Sequence, residues 1–176
     1  MHIQVTKSIQ NVAKKESREG GSGIERKTIL EFREEMAALT LLTKKNLRDY
    51  DAKLKENLGK IEKAIGLSGL TLEVKDMGKC AAAAKDCGYE NRVGEVIYDW
   101  YMSGIAENIV RLAKDDMVKE ALHDAISAKK ITFRVDDAAE SYHDEKFEDG
   151  CLAILVKSNS TTNTSHNTNV IVKISK

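Results

Sequence analysis

The densest run of chemically capable side chains is DDAAESYHDEKFEDG, which gathers Asp136, Asp137, Glu140, His143, Asp144, Glu145, Glu148 and Asp149. Carboxylates in such number are hard oxygen donors suited to calcium, and one imidazole among them would suit a transition metal. The spacing serves neither. A calcium loop wants ligands at alternate positions, a Gly at the sixth place and a closing Glu, and this run has no such order. It reads as a solvated connecting loop without a metal site. Cys80, Cys87 and Cys151, paired with His2, His123, His143 or His166, are the raw material of a thiol nucleophile. Cys80 would gain thiolate character near a helix N-terminus. No spacing joins any of these thiols to an imidazole, and no CxxC pair is present, so reduced buried thiols are expected. Gly20, Gly21 and Gly23 do not follow a strand as a phosphate-cradling loop requires. The sequence therefore assigns no catalytic residue, no cofactor and no metal ligand.

The elements that would position such groups are mostly helical. The chain of 176 residues has no Pro and only 5% aromatic residues, which removes the usual punctuation of all-β folds. Lys and Arg balance Asp and Glu at 28 each, so no overall field favours nucleic acid. No apolar run reaches the roughly 20 residues that cross a bilayer, and the first residues lack the apolar core of a signal peptide, so no membrane partner and a cytoplasmic location are expected. From Thr28 to Ile65, apolar or tolerant residues recur at Phe32, Met36, Leu39, Thr43, Leu47, Tyr50, Leu54, Leu58, Ile61 and Ile65. The repeat closes every eleven residues, near the pitch of a straight helix, and predicts one helix about 57 Å long at ~1.5 Å per residue. Gly66 and Gly69 end it. LTLEVKD from Leu70 alternates as a strand, and MGKCAAAAKDCG makes a short helix stopped at Gly88. Val93, Val96, Ile97, Trp100, Tyr101, Ile105 and Ile109 form the widest apolar stripe, the predicted centre of the core, with Trp100 inside and Tyr98 outside. Asp115 and Asp116 cap a further helix. ITFRVDD alternates as another strand, while CLAILVK and NVIVKIS enclose the polar run SNSTTNTSHNT as a long-looped hairpin.

The fold class expected is α+β and predominantly helical, with one long N-terminal helix, a helical core and a small antiparallel sheet from C-terminal strands. Residues 1–18 read as a strand-plus-helix segment, 19–23 as a flexible linker, 24–69 as the long helix and 70–176 as an α+β head. The GGSG at 20–23 reads first as a tether that joins a short segment of a partner protein to the domain binding it; a native loop and a disordered tail are the other two readings. In the segment, Ile3 and Val5 alternate, and Ile9 and Val12 share a helical face. Such a motif can add a strand to a sheet edge and dock a helical turn beside it.

The function expected is a non-enzymatic protein-interaction or assembly module. It self-associates through a coiled-coil-like stripe of Met36, Leu39, Leu47, Tyr50, Leu54, Leu58 and Ile61, acts as a scaffold, and grips a short peptide through Ile3, Val5, Ile9 and Val12. A homo-oligomer and a protein partner follow. Folding of the stripe back onto the head is the competing arrangement. The functional alternative is a small enzyme or metal-binding domain with its site between the sheet and the helix at 91–114.

Overall fold

The computed structural model describes residues 36 to 161, except 37 and 140. Ile3, Val5, Ile9 and Val12, the linker at 19–23 and the strand expected at 169–175 lie outside the described residues. Within them the chain is α+β and rich in helix, in the order α1 Leu41–Asp49, α2 Asp51–Ile65, β1 Thr71–Val74, α3 Met77–Asp86, a π-helical stretch Glu95–Tyr101 running straight into α4 Met102–Leu112, α5 Asp116–Ala125, β2 Lys130–Val135, β3 His143–Glu148 and β4 Cys151–Val156. None of these helices is long and apolar enough to cross a membrane.

Local signals account for the helix ends. Thr40, with extended ψ of 158°, accepts from the Thr43 amide at 3.1 Å and starts α1. Thr and Ser hydroxyls at this place satisfy amides that have no carbonyl to reach. That cap corrects the expectation of one uninterrupted helix over 28–65: Leu39 and Thr40 leave helical geometry, and helix resumes at Leu41. A second, milder irregularity falls at Tyr50 (φ −95°, ψ 0°). Gly66 closes α2 at φ +73°, where the amides of Gly66 and Leu67 both donate to the Glu62 carbonyl. Asp76 caps α3 through the Lys79 amide, and Asp115 caps α5 through the amides of Met117 and Val118.

The sheet has the order β1-β2-β4-β3. β1 and β2, and β2 and β4, pair in parallel, while β3 and β4 are antiparallel. It is thus mixed rather than wholly antiparallel. β1 and β2 are joined through α3, the π stretch, α4 and α5, and a parallel pair needs a crossover of this kind. The acidic run expected to be a loop holds β3, and Asp149 and Gly150, both at positive φ (51° and 71°), turn it into β4. Two consecutive positive-φ residues make the tight hairpin turn whose twist matches the strands. β4 has β2 on one side and β3 on the other, so the hairpin expected between residues 151–157 and 169–175 is ruled out by occupancy of both its edges.

The register sorts the side chains. Val74, Phe133, Ile154 and Glu145 lie in one row across the sheet. Their face meets the π stretch and α4, whose Val96, Ile97, Tyr101, Met102, Ile105 and Ile109 are completely buried. In turn α2 packs on α4, running in the same direction, with Asn57 placed between Tyr98 and Ser103.

Candidate functional site

The π stretch sets up the interior site. Hydrogen bonding one residue further along the chain widens each turn, and such segments are over-represented at functional sites. Tyr101 is buried as the stripe predicts, whereas Trp100, expected inside, is turned by the wider winding and is only half-buried. Tyr98, expected outside, is half-buried too, and burial pushes its phenol up to about 12. The Tyr98 carbonyl accepts from Asn57 Nδ2 at 3.0 Å, and the same nitrogen donates to Ser103 Oγ at 3.1 Å.

From the sheet side, alternation in β3 turns His143, Glu145 and Phe147 toward the helices. The Tyr101 ring stands edge-on to Phe133 with centroids 5.2 Å apart, and 6.4 Å from the His143 ring. His143 Nε2 lies 3.7 Å from Glu145 Oε1, with side chains 8% and 9% exposed. Among the described residues neither Tyr101 Oη nor Glu145 Oε1 has a hydrogen-bond partner. Burial pushes the Glu145 carboxyl up to about 7, and the neighbouring Asp144 charge adds to it. Burial likewise raises the Tyr101 phenol, followed by the charges of Cys87 and Glu145. A carboxyl poised near neutrality can take up or give a proton under ordinary conditions. The same inward-facing charge on an edge strand also discourages a foreign strand from pairing there.

A second cluster stands at the start of the π stretch. Arg92 binds Glu95 through two bonds, Nε at 2.7 Å and a terminal nitrogen at 2.6 Å. Its guanidinium lies 5.1 Å from the Tyr89 ring centroid and 5.7 Å from that of Trp100, and the two rings meet edge-to-face at 5.1 Å. The bonded guanidinium holds the Glu95 carboxyl below the usual range. Burial, then Glu95, raises the Tyr50 phenol. Beside them the Thr40 and Thr43 hydroxyls donate to Asn91 Oδ1 at 2.5 and 3.0 Å, and the Glu95 amide donates to Asn46 Oδ1 at 3.1 Å. Leu41 and Leu42, in the first turn after Thr40, are 83% and 63% exposed.

Of the stripe read for self-association, Leu39, Leu47 and Ile61 are buried within the chain, and Met36, Tyr50, Leu54 and Leu58 are half-buried. The α2·α4 and α1·π packing supplies an apolar partner for the buried part of this stripe, Leu47 and Ile61. Among the described residues no three His, Cys, Asp or Glu side chains converge as a metal ion would need. Cys80 is buried near the start of α3 and donates weakly to the Lys75 carbonyl; Cys87 donates to that of Ser158. Neither the interior place of Glu145 nor that of Arg92 at the centre of an aromatic cluster is foreseen in the sequence. The Asp149–Gly150 step is the available sign that a strand precedes it; for Arg92 the sequence offers none, because its rings come from Tyr89 in the turn before the π stretch and Trp100 within it. Comparison with models of protein families, with curated proteins and with solved structures finds no match for this chain.

Proposed function

We propose that the chain is a protein-interaction and assembly module that binds its partner without transforming it. The observation carrying this reading is the half-exposed Tyr89–Arg92–Trp100 cluster. Trp, Tyr and Arg dominate the energetics of protein interfaces, and Arg92 is already fixed by Glu95, so little ordering remains to be done on binding. The partner in this proposal is a short amphipathic segment of the kind spelled by Ile3, Val5, Ile9 and Val12. Self-association in this reading uses the exposed Leu41 and Leu42, because Leu39, Leu47 and Ile61 of the stripe are buried within the chain. A cytoplasmic home goes with three free thiols.

Trp100 is the single tryptophan of the chain, so its fluorescence reports on the cluster directly. A synthetic peptide of residues 1–18, titrated into full-length Ile9→Asp/Val12→Asp protein, should shift the emission saturably, and Arg92→Ala should weaken binding at least tenfold. No shift and no heat of binding up to high micromolar peptide would rule the reading out.

The alternative of an enzyme with its site between the sheet and the helix at 91–114 has one observation in its favour, the Tyr101–His143–Glu145 cluster at that place. It ranks second because these side chains are almost wholly buried and leave a substrate little to touch. Bound metal in the purified protein, lost on His143→Ala, would reverse the order.

A further inference from the structure

β4 reads CLAILV, an unbroken apolar run, and five of its six residues are buried. Strands with parallel neighbours are usually covered on both faces and read in this way. The helices account for one face, that of Leu152, Ile154 and Val156. The opposite face carries Ala153 and Leu155, at 0% and 1% exposure, in the middle of the sheet. Around them on that face stand Glu73, Lys130, Thr132, Arg134, Asp144, Lys146 and Glu148. The ion pairs found there, such as Arg134 with Glu148 at 2.7 Å and Lys130 with Glu73 at 3.2 Å, join the sheet's own side chains to one another. Arg134 and Asp144 flank Leu155 across the sheet, and the pairs rim the face around it.

We infer that this second face is a docking surface for the chain's own C-terminal segment, with Val170, Val172 and Ile174 set against Ala153 and Leu155. Position and reach favour that occupant. The chain leaves the end of β4 through a short turn in which Ser160 Oγ donates to the Tyr142 carbonyl, one residue before β3. Residues 162–168 then span up to about 23 Å at ~3.3 Å each, enough to turn onto either face of strands ~4.8 Å apart. Both edges of β4 are taken, so the alternating apolar residues of NVIVKIS have no place beside the strand with which they would form a hairpin. By contrast, the described chain begins on the helix side, where Thr40 bonds to Asn91.

The test is a double-mutant cycle in the full chain, with Leu155→Ala, Ile174→Ala and the pair, followed by denaturant unfolding. Side chains in contact should lose less together than the sum of the single losses, by about fivefold or more in the unfolding constant. Strict additivity overturns the inference, as does non-additivity with Phe32→Ala in place of Ile174→Ala, which would give the face to the N-terminal part. Losses that depend on protein concentration would give it to a second copy. Should Leu155→Ala fail to fold, Cys151 on the same face is an independent reporter. Val172→Asp with Ile174→Asp should raise its alkylation rate at least tenfold, read by peptide mapping, and an unchanged rate overturns the inference.

Discussion

Glu145 shows how one buried side chain can set the response of the protein to pH. In the folded chain its carboxyl titrates near 7, against 4.5 for the free group. Between those values the folded protein keeps a proton that the unfolded chain has released, so stability falls as pH rises from about 4.5 to about 7 and levels off above. At ~1.4 kcal/mol per unit the full effect is on the order of 3 kcal/mol. Glu56, Glu73, Glu95 and Asp137 are shifted the other way and stabilise the fold only above their depressed values, so their losses come at more acid pH. Glu145→Gln isolates the first effect: its denaturation midpoint should exceed that of the native chain at pH 8 and approach it at pH 5. Parallel pH profiles of the two proteins would remove Glu145 as the cause. Asn57 works at the same scale, completely buried and bonded to the Tyr98 carbonyl. Asn57→Ala leaves that carbonyl short of a donor and should cost about 1–3 kcal/mol in equilibrium unfolding.

At the level of elements, the crossing of α1 over the start of the π stretch turns on Gly94. A Cβ there would stand 2.7 Å from Leu47 Cα and 2.9 Å from both Asn46 O and Leu47 N. These are backbone atoms, which cannot swing aside, so Gly94→Ala must push the helices apart. A loss of about 1–3 kcal/mol or more is expected, roughly 4–8 °C in Tm for a loss near 2 kcal/mol. An unchanged Tm would show that the two helices do not meet tightly at Gly94. The β3–β4 turn is equally exacting. Gly150 is at φ +71°, and an added Cβ would come within 2.8 Å of Ser127 Oγ, whereas Gly59 meets nothing within 4 Å. Gly150→Ala should therefore destabilise the fold, while Gly59→Ala, inside α2, should stabilise it by up to about 1 kcal/mol, checked by thermal melts of the two variants.

For the whole molecule, burial of Leu47 and Ile61 leaves the long stripe no apolar surface to offer a second copy at those positions. Among the described residues the exposed large apolar side chains include Met117 and the adjacent pair Leu41 and Leu42. In sedimentation equilibrium, Leu41→Asp with Leu42→Asp should dissociate any oligomer found for the native chain, whereas a native chain that stays monomeric at high micromolar concentration removes the assembly part of the proposal.

Much of the architecture was open to inspection in the linear chain, because caps and periodicity act locally. Asp115, Gly66, Gly88 and the alternation of Leu70–Val74 and Ile131–Val135 name their elements without help from distant residues. The same holds for the apolar stripe at 93–109, since any partner it meets must be apolar. Three things were decided only by tertiary packing. Thr40 became a cap because Asn91 holds its hydroxyl from the turn before the π stretch. The π winding kept Tyr101 in the core but left Trp100 half-buried, since a one-residue register shift has no signature in composition. β3 and β2 took both edges of β4 and brought Glu145 under Tyr101, because strand pairing joins residues far apart in sequence and no local pattern states which edge a strand will find.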